Sequence, residues 1–122
     1  HLRHSAYADF AAQARDELLE KIGLSFNTLE QLQIGPILFR EELIYHREVK
    51  LNDTVKVITY MSKSNEDYSR WSFTHELFRG DGIKAATIHI DGAWLDLTKR
   101  KLTVLPEEFN VVFRTLPVLN PQ

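Results

Sequence analysis

Apolar residues recur at spacings of three and four through residues 1–23, HLRHSAYADFAAQARDELLEKIG. Tyr7, Phe10, Ala11, Ala14, Leu18 and Ile22 thereby fall on one face of a helix. Ala8, Ala11, Ala12 and Ala14 keep that helix thin, so a bulky element can pack closely around it. Ser5 is the expected N-cap, because its hydroxyl can accept from the free N–H groups of the first turn. Gly23 is the expected stop, since glycine takes the left-handed conformation that other residues resist. After this one long helical pattern the chain reads almost entirely as strands.

Leu24–Gln33 is expected to be a connector, with turn formers Ser25 and Asn27 and with Phe26, Leu29 and Leu32 pinning it down. Gly35-Pro36 punctuates the entry to a first strand, Ile37–Leu51, with Phe39, Leu43, Tyr45 and Val49 on one face. Asn52-Asp53 makes a turn into a second strand, Thr54–Lys63. Tyr68–Arg79 alternates most cleanly, with Trp71, Phe73, His75 and Leu77 opposite Arg70, Ser72, Thr74 and Glu76. Gly80-Asp81-Gly82 reads as a hairpin turn, and Ile83–Leu97 as the last long strand, with Gly92 suited to a bulge or sharp bend. Short turns between four strands predict an antiparallel meander. Its inner face would hold Trp71, Phe73, Leu77, Val55 and Val57 against the helix. Leu105-Pro106-Glu107-Glu108-Phe109 reads as a short capping turn, and residues 116–122, with two prolines, as a C-terminal extension. The fold class is α+β: a long central helix wrapped by a curved antiparallel sheet, in a single domain over residues 1–122.

Composition narrows the function. The 122 residues suffice for one core, and 43% apolar with 26% charged residues describe an ordinary soluble globular chain. A net charge of −2 argues against nucleic acid as the main partner, because phosphate binding needs an excess of Lys and Arg on one face. No apolar run approaches spanning length and no signal peptide is visible, so no membrane association and a cytoplasmic location are expected. Cysteine is absent, which excludes disulfides, thiol nucleophiles and zinc–thiolate sites in this chain.

The chemistry on offer concentrates at the helix start. His1, Arg3, His4 and Ser5 precede or open the helix. A helix N-terminus presents unpaired N–H groups and partial positive charge, which can hold a phosphate, a carboxylate or a developing oxyanion. Simple exposure and capping explain the same residues. His1 and His4, with Asp9 or His46, fall short of a convergent metal set, so neither metal nor cofactor is expected. His75 shares its face with Trp71 and Phe73 and reads as a satisfied core histidine. Glu41-Glu42 could supply a general base, although an exposed strand face explains the pair equally. Lys99-Arg100-Lys101 could meet the phosphates of a nucleotide-bearing substrate or simply form a solvated loop.

These residues also carry a resemblance. HLRHSAY…AR before an amphipathic helix resembles the G-H-x-x-N-x-x-Y…AR signature of hotdog-fold thioesterases of the 4-hydroxybenzoyl-CoA thioesterase type. His1 falls on the motif His, His4 on its Asn, Tyr7 on its Tyr and Ala14-Arg15 on its AR. IYHREVKLNDTVKV, RWSFTHELFRGDGIKAAT and LDLTKRKLTVLPEEF are similar to later family segments in the same order, so the resemblance covers roughly residues 1–110. It implies a strand before the helix, which would lie upstream of His1. It also implies a bent sheet around the helix, a homodimer or dimer of dimers with interfacial sites, and hydrolysis of an acyl-CoA thioester to free acid and CoA.

In that chemistry the thioester carbonyl points at the helix N-terminus. His1, Arg3 and His4, with the backbone of Ser5, Ala6 and Tyr7 as oxyanion donors, are then the expected catalytic group. Tyr7 and Phe10 would line the acyl pocket, and Lys99, Arg100 and Lys101 would meet the CoA phosphates. Two departures stand out. The usual catalytic Asp lies before the motif His, upstream of this chain, and Ala12 and Gln13 stand near where some members carry a helix Glu. An acyl-carrier-protein thioesterase and a non-catalytic hotdog protein that binds acyl thioesters or only assembles are the alternatives.

Overall fold

The computed structural model describes residues 4–50 and 52–116, with the backbone alone for His4. Helix α1 spans His4–Lys21, α2 Phe26–Leu32 and α3 Glu107–Phe113. The strands are β1 Ile34–Tyr45, β2 Val55–Ser64, β3 Arg70–Arg79, β4 Lys84–Asp96 and β5 Lys101–Leu102. All pairings are antiparallel, in the order β1-β4-β3-β2, with β5 on the end of β4.

Helix α1 forms where the periodicity places it and ends as expected. Gly23 sits at φ +87°, its N–H donates to the Glu20 carbonyl, and the Leu24 N–H reaches back to the Leu19 carbonyl. This closes the last turn in the manner of a Schellman cap. Ser5 is not the N-cap: the helix already starts at His4, so Ser5 lies inside the first turn with its side chain exposed. The connector is itself the short helix α2, capped by Ser25, whose Oγ accepts from the Thr28 N–H at 3.2 Å. Leu29 is buried as expected, whereas Phe26 is 83% exposed and pins nothing. The capping turn at Leu105–Phe109 extends into α3, which carries Phe113 into the core. Leu116 is buried too, and the rest of the expected extension lies outside the described residues.

The sheet departs from a simple meander. β2, β3 and β4 follow one another as hairpins, but β1 pairs with β4 rather than β2. The reason lies in residues 46–50 and 52–54. β1 ends at Tyr45 rather than Leu51, and the following segment crosses the end of the sheet to reach β2 on the far edge. The His46 and Arg47 N–H groups donate to the Ala85 carbonyl, Arg79 Nη1 donates to the Glu48 carbonyl at 3.1 Å, and Val49 is buried. A crossover anchored at these points gives β1 the free side of β4.

The core lies between α1 and the inner face of the sheet. Phe73, Leu77, Ile88, Ile90, Trp94 and Phe113 are buried there, and Ala11 of α1 is fully enclosed. Gly92 serves close packing rather than a bulge of its own. A Cβ there would stand 2.6 Å from the Ile37 carbonyl and from the Trp71 ring. The register shift falls in the facing strand, between Leu38 and Arg40 of β1. A second shift lies between Met61 and Lys63 of β2, and such bulges bend a sheet. Among the described residues no helix is long and apolar enough to cross a membrane.

Candidate active site at the start of the long helix

Tyr7 organises this end of the molecule. It is 3% exposed, one turn into α1, with its ring edge-on to Tyr45 of β1 at 5.2 Å between centroids. Burial raises its phenol pKa, and the neighbouring Tyr45 and Glu48 charges add to the rise. A hydrogen bond from the Val49 backbone opposes them. One side chain thus ties the first turn of α1 to β1 and to the crossover. Ser5, Ala6 and Tyr7 lie in the first described turn of α1. Phe10 lies half-buried against the core one turn further on. His1 and Arg3 lie outside the described residues, as does the His4 side chain.

The other candidates scatter. Lys99 and Arg100 follow β4, and Lys101 opens β5; all three are exposed. Lys101 pairs with Asp96, whereas Tyr45, against Tyr7, pairs with Ala86. Ten residues of β4 separate these levels, roughly 33 Å of strand. Within one chain the cluster and the helix start therefore occupy opposite ends of the sheet. Glu41 and Glu42 do not act as a pair, since successive strand residues point to opposite faces. Glu42 binds Arg40 at 3.1 Å, while Glu41 acts on Arg15 of α1. His46 Nε2 lies 2.9 Å from Thr87 Oγ1, and Asp9 is exposed. No group of three His, Asp or Glu among the described residues could hold a metal ion.

His75 is the satisfied core histidine that its strand position predicts. It is fully buried, with Nε2 2.9 Å from Arg15 Nη1 and Nδ1 2.8 Å from Thr59 Oγ1. A guanidinium only donates, so Nε2 accepts and the proton sits on Nδ1, facing Thr59. Burial, followed by the Arg15 and His89 charges, pulls the His75 pKa down to about 3.

Sequence reading missed Glu48. It is the carboxylate whose charge reaches Tyr7, because the crossover carries it to the start of α1. In the sequence it is one polar residue in an apparent strand, and only the early end of β1 puts it here.

A long helix against a bent antiparallel sheet, with its N-terminal turn clamped at one end, defines the hotdog fold. Known structures agree. The chain superposes on a hypothetical protein of Staphylococcus aureus solved in complex with CoA at a TM-score of 0.87 and 21% identity, covering 100% of this chain and 78% of that one. It matches a DHNA-CoA thioesterase from Staphylococcus aureus at 0.82 and 20%, covering 92% and 76%. A 1,4-dihydroxy-2-naphthoyl-CoA thioesterase from Synechocystis matches at 0.81 and 13%, covering 93% and 83%. A search of curated protein sequences found no match. The family described as the thioesterase-like superfamily matches residues 1–113, and the chain belongs to it.

Proposed function

We propose that this protein hydrolyses an acyl-CoA thioester to the free acid and CoA, and that it does so as a homodimer or dimer of dimers in the cytoplasm. Family membership over residues 1–113 supports thioester hydrolysis. The observation that carries the site is the clamped first turn of α1, held by Tyr7 against Tyr45. Fixed N–H groups at a helix start stabilise the oxyanion that forms when a thioester carbonyl is attacked, without reorganising during the reaction. His4 and His1 would position the carbonyl or the attacking water, with Arg3 beside them. Tyr7 and Phe10 would line the acyl pocket.

The edge strand supports a dimer. Phe39, Ile44 and Tyr45 of β1 are 39–54% exposed, and the outer side of β1 has no strand partner among the described residues. Edges of this kind favour pairing with another strand. Antiparallel pairing of two β1 strands about a two-fold axis reverses the second chain. The partner's β4–β5 end then comes toward this chain's helix start, and its Lys99, Arg100 and Lys101 can meet the CoA phosphates in trans.

The test is hydrolysis across short, long and aromatic acyl-CoAs by the protein in its full natural length. Released thiol is read with a thiol reagent, to which this chain contributes no cysteine. Turnover on at least one class is expected. No turnover on any of them, with the dimer intact, would remove the CoA hydrolase reading and leave a carrier-protein substrate or a binding role.

A further inference from the structure

We propose that a notch between α1 and β1, well away from the helix start, binds a short-chain carboxylate through Arg15. The notch encloses about 90 Å³. Arg15, Asp16 and Leu38 stand at its rim, and Phe73, Trp94 and Phe113 form its floor. Arg15 lies ten residues beyond Ser5, about 15 Å along the helix axis, so this is not the oxyanion site.

Arg15 supplies the positive charge of the notch. The guanidinium stays protonated under any ordinary condition. Its side chain is half-buried and donates to the fully buried His75 at 2.9 Å. That imidazole is neutral, so it orients the guanidinium without compensating its charge. Arg15 makes no ion pair with any described residue. Glu41 and Asp16 act on it only at longer range. A half-buried cation without a close counter-charge is costly, and an anion seated beside it offsets that cost. Trp71 and Trp94 both line the notch, and their indole N–H groups are buried without a partner.

Shape selects the rest of the ligand. A cavity of about 150 Å³ takes benzene, so this smaller notch suits a chain of a few carbons. A carboxylate would bind the guanidinium by charge-assisted hydrogen bonds, and its methylene groups would lie against the Phe73 and Phe113 rings. Asp16, exposed at the rim, opposes an anion weakly because water screens it. A short carboxylate is also a class of product that thioester hydrolysis can release. Binding here needs no turnover, so the proposal and the thioesterase reading fail separately.

The experiment titrates the intact protein with sodium butyrate, 1-butanol and sodium chloride at matched ionic strength. The readout is fluorescence of the chain's two tryptophans, both at the notch. Butyrate should give a saturable change at least fivefold below the concentration at which butanol acts, with no response to chloride. Arg15→Gln should raise the butyrate midpoint at least tenfold, and Leu38→Phe, which fills the rim, should abolish saturation. Should either variant fail to fold by circular dichroism, Asp16→Asn decides: it leaves Arg15 and the floor intact and should lower the midpoint about twofold. Equal responses to butanol and butyrate would overturn the proposal, as would midpoints unmoved by these variants. A midpoint that rises with protein concentration would also overturn it, because a second copy of the chain would then be filling the notch.

Discussion

β1 and β3 are both long strands with alternating apolar residues, yet they end in opposite environments. β3 lies between β2 and β4, and Trp71, Phe73 and Leu77 sit under the helix at 5% exposure or less. Among the described residues β1 is bonded on one side only, and its Leu38, Phe39, Ile44 and Tyr45 stay substantially in water. Position in the sheet, rather than apolar content, decides which strand is core. β1 keeps apolar surface in water, whereas β3 is already covered.

Two phenylalanines sharpen the contrast. Phe73→Ala should destabilise the fold by about 3–5 kcal/mol, the range for deleting a buried aromatic side chain, measured by chemical denaturation. Phe39→Ala removes an exposed ring that lies 5.2 Å from the Arg70 guanidinium, and should cost no more than about 1 kcal/mol.

The inner face of β3 also carries an acid sensitivity. His75 is held near pKa 3 in the fold against an ordinary 6.5. Between these values the unfolded chain binds a proton that the folded chain does not. Stability therefore falls as pH drops from about 6.5 toward 3, with a slope from this group of at most about 1.4 kcal/mol per pH unit. His75→Gln should flatten that part of the stability–pH curve, whatever it does to absolute stability. A curve of unchanged slope would contradict the buried neutral imidazole. The smallest expected change in protomer stability comes from the edge. Ile44→Ser should shift stability by about 0.5 kcal/mol or less, while moving the sedimentation profile toward monomer.

Much of this architecture is legible in the residues. Gly23 marks the end of α1 because its left-handed backbone closes the last turn. The alternation of Trp71, Phe73, His75 and Leu77 marks the buried face of β3, because period two is a local property. The pairing of β1 with β4 is not local. Residues 46–54 resemble a strand and a turn, and nothing in them says that they cross the end of the sheet. The same blindness hid Glu48. The Arg15–His75 contact joins residues 60 positions apart, and no spacing rule reaches that far. His1 and Arg3 carry their family positions by motif alone.

We place the thioester chemistry at the start of α1, and this placement can be checked in one assay. It is tested most directly by the rate of CoA release from the best acyl-CoA substrate, comparing the wild-type protein with His4→Ala. At least about a tenfold loss of kcat is expected, with the oligomeric state and thermal stability unchanged. Equal rates in the two proteins would place the chemistry elsewhere in the molecule.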